Sequence, residues 1–310
     1  MLLSTRVAGR MSSTSGASIS RFGSLVSPAE LVANASLKVK FLDGSWIMNK
    51  SARNVLAEFE SERLPSARFF DIDAVSDTAS ALPHMIPTAE VFADAMTASG
   101  INNDDHVVVY TTANCFSACR VWWTLRAFGH EKVSILDGGL EGWRRQGGKL
   151  ECGPPPHSTP SSTPYVAKLD KRFVVDWKEV LSIVETGSAQ ICDARSRARY
   201  LAEAPEPRAG LVGGHIPGSL SVPFTDLVKQ EDPTTFRSKE DIRDALVKAG
   251  VVFGSRVVVT CGSGVTACVI AFCLELLGKD LAMSPCYDGS WSEWGDEKLS
   301  AERNLPIVGK

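Results

Sequence analysis

The 310-residue sequence predicts an α/β protein made of two similar halves, each a mostly parallel sheet flanked by helices. Three observations predict it. Short β-branched runs alternate with apolar helical patterns of about three turns, the arrangement that covers a parallel sheet on both faces. The pattern occurs twice, and a repeat is the first thing to test in a chain of this size. Between the copies, Glu151–Arg172 carries Pro154, Pro155, Pro156, Pro160 and Pro164, a composition that can neither continue a helix nor join a central strand.

The elements follow in order. Residues 1–24 read as a targeting segment, with an ordinary disordered tail as the alternative: no Asp or Glu occurs before Glu30, while Arg6, Arg10 and Arg21 stand among serines. The expected address is the mitochondrion, with a plastid, or a cytoplasmic form started at Met11, as the alternatives. Residues 25–150 form the first copy. Its strand Val107–Tyr110 leads through a polar turn to a helical pattern over Ala118–Phe128, then Gly129, the strand Val133–Leu136 and the run Asp137–Trp143. Residues 151–172 are the linker, and 173–310 the second copy. There the strand Val257–Thr260 leads to a helical pattern over Ala267–Leu277, Gly278 and the run Tyr287–Trp294. The uncharged stretch Val257–Leu274 is long enough for a membrane span, but Thr260, Gly262, Ser263, Gly264 and Thr266 divide it into strand, loop and helix.

Composition narrows the function classes. With 44% hydrophobic and 22% charged residues the chain can build real cores. Its 33 Lys and Arg against 36 Asp and Glu leave a net charge of −3, so neither nucleic acid nor a membrane is an expected partner. Eight cysteines without a C-x-x-C pair indicate free thiols, not a disulfide scaffold or a metal site.

In parallel sheets ligands sit beyond the carboxyl ends of strands, which directs attention to Cys261-Gly-Ser-Gly-Val-Thr266. Gly262 and Gly264 permit positive φ and close backbone approach, so that successive N–H groups can curl round an anion. The helix that follows adds partial positive charge. Both effects favour a thiolate and make Cys261 the best nucleophile in the chain. The residues alone also admit a small buried cysteine that merely closes its strand. That plainer reading holds for Cys192, Cys268 and Cys273, and Cys115 and Cys119 read as buried thiols too. The first copy ends its strand Tyr110-Thr111, without a cysteine, so one copy reads as active and the other as inert. A phosphatase needs an arginine six residues after its cysteine to clamp phosphate, and that position is Ala267.

The loop Cys261–Ala267, together with Gly214-His-Ile-Pro-Gly218 and Tyr287–Trp294, resembles the tandem-domain rhodanese superfamily. Within it, the loop is similar to that of the 3-mercaptopyruvate sulfurtransferases, since Gly262 and Ser263 stand where thiosulfate-using members carry basic residues. The resemblance implies two rhodanese-like domains, the second catalytic. It also implies a persulfide on Cys261, 3-mercaptopyruvate as donor, a thiol acceptor such as thioredoxin, or cyanide, and no metal or organic cofactor. Arg199 and Arg208 would hold the donor's carboxylate and ketone, with Gly262, Gly264, Val265 and Thr266 around it. Asp73 would orient His84, which would polarise Ser263. Arg195 is expected in a structural ion pair and His215 in a turn. Read without the family, His84 is an ordinary turn histidine and the arginines are solvated. A thiosulfate:cyanide sulfurtransferase and a non-catalytic sulfur-carrier or interaction module are the alternatives.

Overall fold

A computed structural model describes residues 22–34, 38–51, 53–155 and 163–309. The targeting segment up to Arg21, Met11 included, lies outside the described residues. Strands β1 (Leu25–Val26), β2 (Val39–Asp43), β3 (Arg68–Phe69), β4 (His106–Tyr110) and β5 (Val133–Leu136) form one sheet in the order β1-β5-β4-β2-β3. Strands β6 (Val174–Val175), β7 (Gln190–Asp193), β8 (Leu220–Ser221), β9 (Val257–Thr260) and β10 (Cys286–Tyr287) form a second, ordered β6-β10-β9-β7-β8. Every pairing is parallel. Adding five to each strand number of the first sheet gives the second, so the repeat in the sequence is a repeat of topology.

Period-2 alternation decides what each strand face buries. Val107 and Val109 of β4 join a large core, while Val108 and Tyr110 face a smaller one with Phe59 and Trp143. Likewise Val257 and Val259 of β9 join the large core, and Val258 turns to a third cluster with Trp291 and Trp294. The large core is continuous through both halves. At its centre the helices Phe116–Ala127 and Ala267–Leu276 pack together, with Trp122 edge-on to Phe272 at 4.9 Å between centroids. Both helices are buried almost all round, which is why Ala267–Leu276 is apolar on nearly every face instead of amphipathic and why even Ser117, Arg120 and Thr124 of the first helix are buried.

The helices are displaced slightly from their expected limits. The first begins at Phe116, two residues early, because the turn after β4 is short, and Phe128 is its C-cap. The stretch 151–172 is tied down at its described ends: Glu151 bridges Arg63, and Tyr165 is buried with its hydroxyl 2.9 Å from His130 Nδ1. Val257–Leu274 resolves into β9, a loop and a helix. Among the described residues no helix is long and apolar enough to cross a membrane.

Candidate active site

Cys261 follows the last residue of β9 at the carboxyl edge of the second sheet and is 2% exposed. The loop after it is held from behind by the turn that follows β10. Ser290 Oγ accepts the N–H groups of Cys261 and Gly264, at 3.2 and 3.0 Å, and donates to Tyr287 O. Trp291 N–H donates to Cys261 O, and Ser292 donates to Gly262 O through both its N–H and its hydroxyl. With those groups spoken for, the N–H groups of Gly262, Ser263, Val265 and Thr266 have no acceptor among the described residues. Buried backbone donors are almost always paired. A run of unpaired ones beside a cysteine and a helix N-terminus is a cradle for negative charge on that sulfur.

The two glycines act differently. Gly264 has φ +74°, and a Cβ there would lie 2.8 Å from Asp288 Oδ1. Gly262 does not use the positive φ that glycine permits. Its missing side chain instead leaves room for Arg199 Nη2, 3.1 Å from where a Cβ would stand, and for Arg208 Nη1 at 3.9 Å. Both expected substrate arginines therefore reach the loop. Arg199 is held by Glu206, through Nη2 to Oε2 at 2.5 Å and Nε to Oε1 at 3.2 Å. Arg208 makes no ion pair among the described residues, and burial pulls its guanidinium below the usual arginine range. Arg195 is fully buried between Asp193 and Glu206 and lies over the Trp291 ring, the structural pairing expected of it. His215 stacks on Tyr200 and bridges Val308.

From the first half come Asp73 and His84. Asp73 Oδ1 lies 2.9 Å from His84 Nδ1, and the carboxylate also accepts from Trp46 Nε1 and Lys50 Nζ. The hydrogen bond from His84 holds the Asp73 carboxyl far below the usual carboxylate range. A carboxylate accepts only, so Nδ1 donates the proton of this bond. Nε2 faces Arg208 Nη2 at 3.3 Å. The expected relay is joined from Asp73 to His84. No hydrogen bond connects His84 to Ser263, which is 5% exposed in the loop, because the Arg208 guanidinium stands beside Nε2.

Sequence reasoning missed the groups that bind the two halves together here. Arg120, in the middle of the helix Phe116–Ala127, is 2% exposed and donates to Asp288 Oδ1 at 2.6 Å, Gly264 O at 3.1 Å and His84 O at 2.6 Å. An arginine inside an otherwise apolar helical pattern was the available signal. Glu206 was missed too, though its place two residues before Arg208 could have suggested it. The other buried thiols differ from Cys261 in having no cradle. Burial pushes Cys192 up to about 12 and raises Cys119 and Cys273, and a hydrogen bond with Cys268 raises Cys286.

The two sheets are copies of one topology, and the cysteine that follows the central strand β9 has no counterpart after β4, where Thr111 stands. The rhodanese-like domain pattern matches residues 52–146 and 176–297, and the chain belongs to that family. Human 3-mercaptopyruvate sulfurtransferase is 41% identical over 271 residues, covering 87% of this chain and 89% of the relative. The Arabidopsis thaliana protein named thiosulfate/3-mercaptopyruvate sulfurtransferase 1, mitochondrial, is 38% identical over 287 residues, covering 87% of this chain and 73% of its own. The crystal structure of SseA from Escherichia coli, described as a 3-mercaptopyruvate sulfotransferase with the rhodanese fold, superposes with a TM-score of 0.77. It is 39% identical, covering 88% of this chain and all of that one. The resemblance drawn from the sequence, and the two-domain α/β fold that it implied, are borne out.

Proposed function

We propose that this enzyme is a sulfurtransferase that moves sulfur from 3-mercaptopyruvate through a persulfide on Cys261 to a thiol acceptor. One observation carries the reading: the cysteine opens a loop in which four N–H groups have no acceptor among the described residues, and Arg199 and Arg208 reach that loop at Gly262. The Cys261 thiolate attacks the donor sulfur, and a new S–S bond forms. The donor's C–S bond breaks with its electron pair passing to carbon, and pyruvate leaves as its enolate, which takes up a proton. The cradle then stabilises the persulfide anion. An acceptor thiolate, of the thioredoxin kind, attacks the outer sulfur, forms its own S–S bond and returns Cys261 as thiolate.

Arg199 and Arg208 serve as a guanidinium pair for the carboxylate and ketone. His84, oriented by Asp73, and Ser263 handle the donor proton. Gly262, Gly264, Val265 and Thr266 form the wall and the cradle. Residues 25–150 supply the relay side of the cleft and residues 173–310 the cysteine. The acid-free N-terminus supports an organellar address, as does the mitochondrial name of the Arabidopsis relative. That relative's double name keeps thiosulfate as the second donor to test, against the neutral pair Gly262 and Ser263, which suits a mercapto acid better than a dianion.

The test is intact-mass measurement after mixing the protein with 3-mercaptopyruvate. The expected result is a gain of one sulfur atom, absent in Cys261→Ser. Sulfur transfer that survives in Cys261→Ser would sink the reading.

A further inference from the structure

The Arg120 guanidinium touches three groups that belong to different parts of the site. It bonds the carbonyl of Gly264, in the cysteine loop, and the carbonyl of His84, in the opposite half, and it pairs with Asp288 behind the loop. Asp288 completes a circuit, because its second oxygen accepts the N–H of Ile86 at 2.6 Å. The segment that carries His84 is thus held at both ends of the ion pair, through its carbonyl to Arg120 in its own half and through the Ile86 N–H to Asp288 in the second. His84 itself sits at φ +60°, a conformation that a non-glycine residue keeps only when its surroundings hold it there. On the other side of the clamp, the Gly264 carbonyl that Arg120 holds belongs to the same planar peptide as the Val265 N–H, so the ion pair fixes the direction of that donor.

We infer that Arg120 and Asp288 are positioning residues of the sulfur-transfer reaction: one buried ion pair, shared between the halves, sets the cysteine loop and the histidine segment in register. Neither residue touches the donor. The pair acts through Gly264 and His84, and this inference rests on the reading of Cys261 as sulfur carrier. The contacts are spread over two nitrogens, Nη1 to Gly264 O and Asp288 Oδ1 and Nη2 to His84 O, a span that the single nitrogen of a lysine ammonium does not reproduce.

The experiment uses the full chain and the variants Arg120→Lys, Arg120→Met and Asp288→Asn. Persulfide formation on Cys261 is followed by rapid quenching and intact mass over a range of 3-mercaptopyruvate concentrations. Each rate is normalised to the fraction of sites that finally load, so loss of folded protein does not count. The expected result is a loading rate lowered at least about tenfold in Arg120→Met, since a misplacement near 1 Å costs on the order of a hundredfold. Half-saturating donor should stay within about twofold, because Arg199 and Arg208 still bind it. Arg120→Lys should recover part of the rate. Asp288→Asn, which keeps an acceptor for Ile86, should be slowed less than Arg120→Met. Arg120→Lys and Asp288→Asn that load at the parent rate per site would overturn the inference and leave the pair a matter of stability alone. Sulfur transfer in Cys261→Ser is a separate failure: it removes the carrier reading, and this inference with it.

Discussion

Arg199 Nη2 donates to Glu206 Oε2 at 2.5 Å, and the Glu206 side chain is 1% exposed. The guanidinium beside Gly262 is therefore aimed by a buried carboxylate, which also pairs with Arg195. A side chain held in this way loses little further freedom when it meets a second anion.

That arrangement predicts the cost of a conservative change. Arg199→Lys and Arg208→Lys should each raise KM for 3-mercaptopyruvate, because an ammonium cannot make two parallel N–H···O bonds. Losing one charge-assisted hydrogen bond costs about 1.5–3 kcal/mol, roughly ten- to a hundredfold in kcat/KM. Steady-state kinetics of both variants checks this, and unchanged KM in both would place the carboxylate elsewhere.

The two loop glycines should respond unequally to alanine. At Gly264 a methyl group would be strained by φ +74° and would crowd the Arg120–Asp288 pair. Gly264→Ala is expected to destabilise the fold by about 1–3 kcal/mol and to slow persulfide loading. At Gly262 the methyl meets only side-chain tips, Arg199 Nη2 at 3.1 Å and Arg208 Nη1 at 3.9 Å, and no backbone, so Gly262→Ala should fold normally, with its effect confined to donor KM. Urea unfolding and loading assays on the two proteins give the comparison. Equal losses of stability would refute it.

A third expectation concerns Asp43, at the end of β2 in the position that Asp193 holds on β7. Asp193 has Arg195 as its partner, whereas Asp43 has the Ser45 N–H and no arginine. Burial pushes its carboxyl up to about 6. The folded chain then holds a proton that the unfolded chain releases between about pH 4 and 6, so this stabilisation is complete below about pH 4 and lost as pH rises through about 6. Asp43→Asn should gain about 1–3 kcal/mol over the parent at pH 7 and nothing at the acid end of the window. Half-buried His106 and buried His130, both lowered to about 4, tilt the chain the opposite way. The measured quantity is therefore the difference between variant and parent across the pH range, and a flat difference would count against the buried-acid account.

The fold was legible because its information is local and repeated. Val107–Tyr110 and Val257–Thr260 announce central strands, and the matched spacings after them announce a duplication. Cys261 was legible for the same reason, since strand, glycine loop and helix are contiguous. Arg120 was not, because its partners are 36, 144 and 168 residues away in the chain. Hydrophobic periodicity reports which face of an element is buried and not what a second domain will place against it. Arg208 was expected as a substrate ligand, but nothing in its neighbourhood hinted that it would stand next to His84.

The all-round burial of the helix Ala267–Leu276 bears on how the molecule melts. Its apolar surface is covered on one side by its own sheet and on another by Trp122 and its neighbours from the first half. A fragment holding Cys261 alone would turn that flank out to water, along with an unneutralised Asp288, and would be prone to self-association. The duplicated halves are therefore expected to melt in a single cooperative event. Calorimetric and van't Hoff enthalpies should agree for the whole chain, since each half covers apolar surface that the other cannot bury alone.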